Sequence, residues 1–237
     1  MRRLLIVNPN GNPLVTARMQ ECADRVLGPD CTARAVHPMD SPMAIESPAD
    51  RALAEPLALA LLARNKGYDG YVMACFDDIA VAPARKFLTA PVIDAVEASI
   101  AAARGLATRF AIVTTVETMV PGIQRVLRRL GAAGECSVRA SGISVAEAAA
   151  GEADVLSRLD DAIARARDED GAQVIILGSG GLTGKAGRLS QKYGLPVIDP
   201  IDVAVRMADA ASKKALAVKA SQAKGTGSSS VLHHDPE

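Results

Sequence analysis

Two short segments concentrate the residues able to do chemistry. YVMACFDD, residues 71–78, runs from an apolar stretch into Cys75 and two acids, and VIILGSGGLTG, residues 174–184, runs into Ser179 among glycines. A thiol at a strand end becomes a base or nucleophile once its proton can leave, and a helix starting there would favour the thiolate. Asp77 and Asp78 oppose that ionisation unless Asp78 turns away as a cap. A lone cysteine after a strand ordinarily reads as a small buried residue. Cys75 reads instead as a candidate proton-transfer group because of its place in a repeat.

The glycine-rich segment first suggests a phosphate loop. Gly184 and Lys185 fit a G-x-x-x-x-G-K-[ST] pattern, but Ser179 stands where its first glycine belongs and Ala186 where a metal-holding hydroxyl belongs. For G-x-G-x-x-G, Gly178 and Gly180 match and Thr183 does not. Nucleotide binding is therefore set aside. Such a turn still presents backbone N–H groups, at Gly180 and Gly181 among others, that can hold a carboxylate or an enolate-like oxygen.

Other chemistries have little to work with. The chain has three histidines, two of them in the C-terminal tail, which leaves almost nothing for a histidine metal site or a catalytic triad. Cys22, Cys31, Cys75 and Cys136 are far apart and form no CxxC pair, so free thiols are expected, the other three structural. Lys plus Arg and Asp plus Glu number 27 each, and the formal net charge is zero. Nucleic acid and anionic membrane are poor partners for such a chain; a small molecule is expected. The opening MRRLLIV is too short for a signal peptide, and no run reaches a membrane span, so a cytoplasmic location is expected.

The elements that must position Cys75 and Ser179 follow from alternation. LLIV, YVMA, FAIV and VIIL are each followed by a helical stretch, the first from about Thr16, and strand then helix repeated means a parallel sheet. Three landmarks recur in order at a spacing of about 105 residues: LLIVNP at Leu4 with FAIVTT at Phe110, GYDGYVMAC at Gly67 with GAQVIILGS at Gly171, and PVIDAVEASI at Pro91 with PVIDPIDVAV at Pro196. The fold class is α/β, as two pseudo-symmetric parallel-sheet halves with the active site in the cleft between them. Residues 1–96 with a returning helix at 204–215 form the first half, 97–203 the second, and 216–237 a disordered tail. On this repeat Cys75 falls opposite Ser179, each at the end of a strand, where open α/β sheets bind ligands.

On these residues the chain resembles the aspartate/glutamate/hydantoin racemase superfamily, and within it the hydantoin and allantoin racemases. LLIVNPNGNP with Asn8 and Asn10 resembles the family's NPN opening, and MAIES with Ile45 and Glu46 its loop before the second helix. ACFDD with Cys75, Phe76 and Asp78 resembles its first catalytic loop, where Ile79 replaces the usual Pro; VTTVETMVP with Thr114, Thr115 and Thr118 resembles its threonine motif, and ILGSGGL its second catalytic loop. The resemblance covers about residues 3 to 210. It implies a cofactor-independent, metal-free homo-oligomeric enzyme in which two cysteines flank the substrate's α-carbon. Asn8, Asn10, Phe76, Thr114, Thr115, Thr118, Gly180 and Gly181 would bind substrate and help hold an enolate oxygen. For Asn8 and Asn10 a simple turn, and for the threonines a helix cap, are the alternatives.

The chain departs from the family at Ser179, where the second cysteine is expected. Three explanations fit: an engineered Cys-to-Ser change, a native enzyme with Cys75 as base and Ser179 relaying a proton, or one-sided chemistry such as decarboxylation or cis–trans isomerisation. An aspartate or glutamate racemase and a non-catalytic small-ligand binding protein are the competing functions.

Overall fold

The computed structural model describes residues 1–150 and 153–226. The first half contains β1 (Arg2–Val7), α1 (Pro13–Val26), β2 (Cys31–Val36), α2 (Pro48–Arg64), β3 (Gly70–Met73), α3 (Val81–Phe87) and β4 (Val92–Asp94), and α4 (Ala95–Arg104) crosses from it to the second, where Val96, Ile100 and Ala103 pack with Phe110, Ile112 and Val174. The second contains β5 (Phe110–Thr114), α5 (Val120–Arg129), β6 (Cys136–Ala140), α6 (Val145–Ala150), α7 (Ala153–Asp168), β7 (Val174–Leu177), α8 (Ala186–Tyr193) and β8 (Val197–Ile198), and α9 (Pro200–Thr226) closes the described chain. The two sheets are parallel throughout and share one topology, β2-β1-β3-β4 and β6-β5-β7-β8.

The reason lies in strand composition. LLIV of β1, GYVM of β3, FAIVT of β5 and VIIL of β7 are buried along their length, as strands covered by helices on both faces must be. The sequence repeat thus becomes a structural one: β1 corresponds to β5, β3 to β7, and β4 to β8.

Caps decide where the helices begin. Asn12 Oδ1 accepts from the N–H groups of Leu14 and Val15, and Pro13 supplies a preset φ, so α1 starts at Pro13 rather than near Thr16. Ser47 caps α2 by accepting from Asp50 N at 3.1 Å. Asp94 and Asp199, at matching points of the repeat, cap α4 and α9 through Val96 N and Ile201 N.

Helix α9 leaves the second sheet and packs back on the first, where Ile201, Ala204, Val205 and Ala208 join a core with Leu4, Ile6, Val72, Val15 and Met19. It runs through Thr226, so residues 216–226 are helical and not the disordered start of a tail. ALAVKASQAK is rich in Ala and Lys, which keep a helix turning without an apolar face to bury. The rest of the expected tail, 227–237, lies outside the described residues. No helix among the described residues is long and apolar enough to cross a membrane.

Candidate active site

The ends of β1, β3, β5 and β7 converge on one small cavity. Its walls include Asn8, Asn10, Cys75, Phe76, Thr114, Thr115, Ser179 and Gly180, with Met19, Ile45, Ala74, Met119, Val145 and Gly178. Cys75 comes from the first sheet and Ser179 from the second, and both lie just past the strand ends that the repeat pairs. Cys75 is the only titratable side chain lining the cavity among the described residues. Thr118 and Gly181 are not on its wall.

The segment after Cys75 is a loop rather than a helix. Helix α3 begins only at Val81, after Ala80 in the left-handed region at φ 60°, so no helix N-terminus acts on the thiol. Burial pushes the Cys75 thiol well above its usual value, and the Asp77 charge adds to the rise. Two features work in the other direction: the nearby Arg51 charge and the Asp77 N–H, which donates to the sulfur. Asp78 is not turned away as a cap. Its carboxylate pairs with Arg51 of α2 at 3.2 Å and Arg129 of α5 at 3.0 Å, while Arg51 reaches Asp77 at 2.5 Å. Guanidinium groups from both halves therefore neutralise the acid pair beside the thiol.

Ser179 is nearly buried in extended backbone, and its Oγ accepts from Gly181 N at 3.3 Å. Close packing accounts for the small residues around it. A Cβ on Gly181 would sit 2.6 Å from the Val145 carbonyl oxygen, and one on Gly180 would sit 2.8 Å from Met19 Cε. These glycines let the turn rest on α6 and α1; neither needs positive φ.

The polar residues divide by what they already bind. Asn8 Nδ2 donates to Asn10 Oδ1 at 2.8 Å and Thr16 Oγ1 at 3.0 Å, and Asn8 Oδ1 accepts from Asn10 N at 3.2 Å. Asn8 thus holds the turn. Thr114 Oγ1 is likewise occupied, donating to the Gly178 carbonyl at 2.9 Å. The Asn10 amide NH2 and the Thr115 hydroxyl take no partner among the described residues, nor do the N–H groups of Cys75, Phe76, Ser179 and Gly180. Facing a cavity with one thiol, these donors suit an oxygen that gains negative charge as a neighbouring C–H is lost.

Glu46 ties the halves together over this cavity. Its carboxylate accepts from Val145 N at 2.7 Å, and its carbonyl accepts from the Thr118 hydroxyl at 2.6 Å. Thr118 therefore acts on the loop that carries Ile45 rather than on the cavity itself. The apolar wall of Met19, Ile45, Met119 and Val145 has no chemical signature in sequence, although Ile45 stands in the MAIES segment. The remaining thiols are apart from the site: burial raises Cys22 to about 12, Cys31 to about 11 and Cys136 to about 12.

Comparison with known proteins places the chain. The family model described as Asp/Glu/Hydantoin racemase matches residues 4–208. A hydantoin racemase of Rhizobium meliloti is 35% identical over 208 residues, covering 86% of each chain. One from Paenarthrobacter aurescens is 32% identical over 213 residues, covering 87% of this chain and 89% of its own. The solved allantoin racemase from Klebsiella pneumoniae superposes with a TM-score of 0.85 at 31% identity, over 89% of this chain and 87% of its own. With the matched sheets, the paired strand ends and relatives that are isomerases, the chain belongs to the Asp/Glu/hydantoin racemase family.

Proposed function

We propose that this chain is a cofactor-independent racemase that inverts the proton-bearing ring carbon of a hydantoin-like substrate, a substituted hydantoin or allantoin. The observation that carries the reading is a single thiol, Cys75, in a small cavity whose uncommitted groups are hydrogen-bond donors. Cys75 removes the proton as the neighbouring carbonyl oxygen becomes an enolate, held by loop N–H groups with Asn10 and Thr115. Ser179, on the other half, takes the place of an opposing acid: it gives its hydroxyl proton to the other face and takes one back from solvent water, while the Cys75 thiol releases its own to solvent before the next turnover. The names of the relatives support a ring substrate. The wall carries no Lys, Arg or His among the described residues, so its donors are all neutral, as a neutral ring with carbonyl acceptors requires.

Incubating one enantiomer of a substituted hydantoin with the enzyme in D2O tests this. Deuterium is expected at the ring carbon, with loss of optical rotation, and Cys75→Ala is expected to slow both by on the order of 10²-fold or more. Undiminished exchange in that variant would remove Cys75 from the mechanism. Thermal stabilisation by the hydantoin without exchange in the parent enzyme would make this a binding protein.

A further inference from the structure

The cavity around Cys75 has a volume of about 30 Å³. That is room for one or two water molecules, not for a substituted ring. A second recess of about 240 Å³ adjoins it, and the two share Ile45 and Met119. The shared wall is therefore the natural place for the space to enlarge. Met119 is half-buried, and a methionine side chain turns about three bonds at little cost. Ile45 sits on the loop held by Glu46.

The recess is apolar along its length, with Pro48 and Pro121 adding to Ile45 and Met119. Its polar groups are nearly all committed. Arg51 and Asp77 pair with each other, Ser47 Oγ donates to Asp50, and the Thr118 hydroxyl donates to the Glu46 carbonyl. Arg125, on α5, is the charged residue on this wall that makes no ion pair or hydrogen bond among the described residues.

Resting on the reading that the chain acts on a hydantoin-like ring, we infer that this recess receives the ring substituent. The arm it fits is unbranched, several carbons long, apolar along its stem, and ends in a carboxylate or carbonyl beside Arg125. Met119 and Ile45 yield to join the two spaces when the arm enters.

Gly122 gives the test a handle outside the Cys75 cavity. It lines the recess alone, and an added Cβ would meet nothing nearer than Arg125 Nη2 at 3.8 Å. Replacing a helical glycine also favours the helix. Racemisation of methyl-, butyl- and carboxypropyl-substituted hydantoins is compared in the parent, Gly122→Met and Arg125→Gln enzymes. Gly122→Met should lower kcat/KM for both long-armed substrates about 10-fold or more and leave the methyl compound within about twofold. Arg125→Gln should lower kcat/KM about 10-fold for the carboxypropyl compound alone.

Equal effects on short and long arms in Gly122→Met, or none on the long ones, would overturn the recess. Indifference of Arg125→Gln to the carboxylate would overturn the end-group assignment. If the parent racemises none of the three, the proposed function fails instead. The recess is then judged by binding: thermal stabilisation by the carboxypropyl compound that persists undiminished in Gly122→Met overturns it, and stabilisation lost there upholds it.

Discussion

Cys75 and Ser179 differ by one atom type, and a hydroxyl is intrinsically a far weaker acid than a thiol. A hydroxyl cannot rest as a base beside a thiol, so the two walls of the cavity are chemically unequal although the backbone around them repeats. Ser179→Cys restores equal acids without disturbing the turn, whose glycines already pack against Val145 and Met19. A gain in racemisation on the order of 10²-fold is the expected result, measured by polarimetry with one enantiomer. No gain would mean that the native chemistry does not route a proton through position 179. What sequence makes legible at this scale is chemistry: a thiol and a hydroxyl past matching apolar runs. Met19, Ile45, Met119 and Val145 shape the same cavity and carry no such mark, because apolar side chains look alike wherever they pack.

At the scale of elements, α2 and α5 supply the cations around the acidic loop that follows the thiol. Arg51 places its guanidinium on Asp77 and Asp78, Glu55 of the same helix accepts from Ala80 N at 2.9 Å, and Arg129 adds a cation shared between Asp78 and Glu97. Glu97 is also held by Arg85, and Asp94 lies at the end of β4 beside this loop. Removing the Arg51 charge leaves the acid pair opposing thiolate formation. The pH profile of Cys75 alkylation should move upward in Arg51→Leu, with the rate at pH 8 falling about 3–10-fold, and Arg51→Lys should recover much of it. An unchanged profile would reduce Arg51 to a purely structural role. Strand legibility follows burial. The central strands are continuous apolar runs and stand out, while CTARAV of β2 and CSVRA of β6 lie at sheet edges, half-exposed and mixed in character, and give no comparable signal. The extended part of α9 is hidden for the opposite reason, since residues 216–222 are exposed and rest on helix propensity.

At the scale of the whole molecule the two halves are a repeat whose copies have diverged in their wiring. Asp199 accepts from Ile201 N and, at 2.6 Å, from Gly184 N. Its counterpart Asp94 accepts from Val96 N, but its other oxygen is buried without a partner, because the N–H of Ala80, at the position matching Gly184, goes to Glu55. Burial, left uncompensated, raises the Asp94 carboxyl to about 7. The unfolded chain releases that proton near pH 3.9, so between these values the folded state holds the extra proton. The stability this group contributes is complete below about pH 4 and is lost as pH rises through 7. Asp94→Asn keeps the cap and removes the charge. Urea midpoints from pH 5 to 8 should then lose this downward slope, with the variant gaining relative to its parent above pH 7 by on the order of a few kcal/mol. A parallel pair of pH curves would show that Asp94 ionises normally.

The unequal walls have one further consequence, set by thermodynamics. Two mirror-image substrates have equal free energies, so under the proposed reaction kcat/KM must be the same in both directions however lopsided the cavity is. The imbalance between Cys75 and Ser179 is confined to kcat and KM separately, and to the fate of the hydrogen. The enantiomer that presents its C–H to the thiol can lose it and regain another from the same side, exchanging with solvent while keeping its hand. Its mirror image loses its hydrogen through the Ser179 hydroxyl and, by microscopic reversibility, can regain one by the same route, so the two returns differ only in how fast each group trades its hydrogen with solvent.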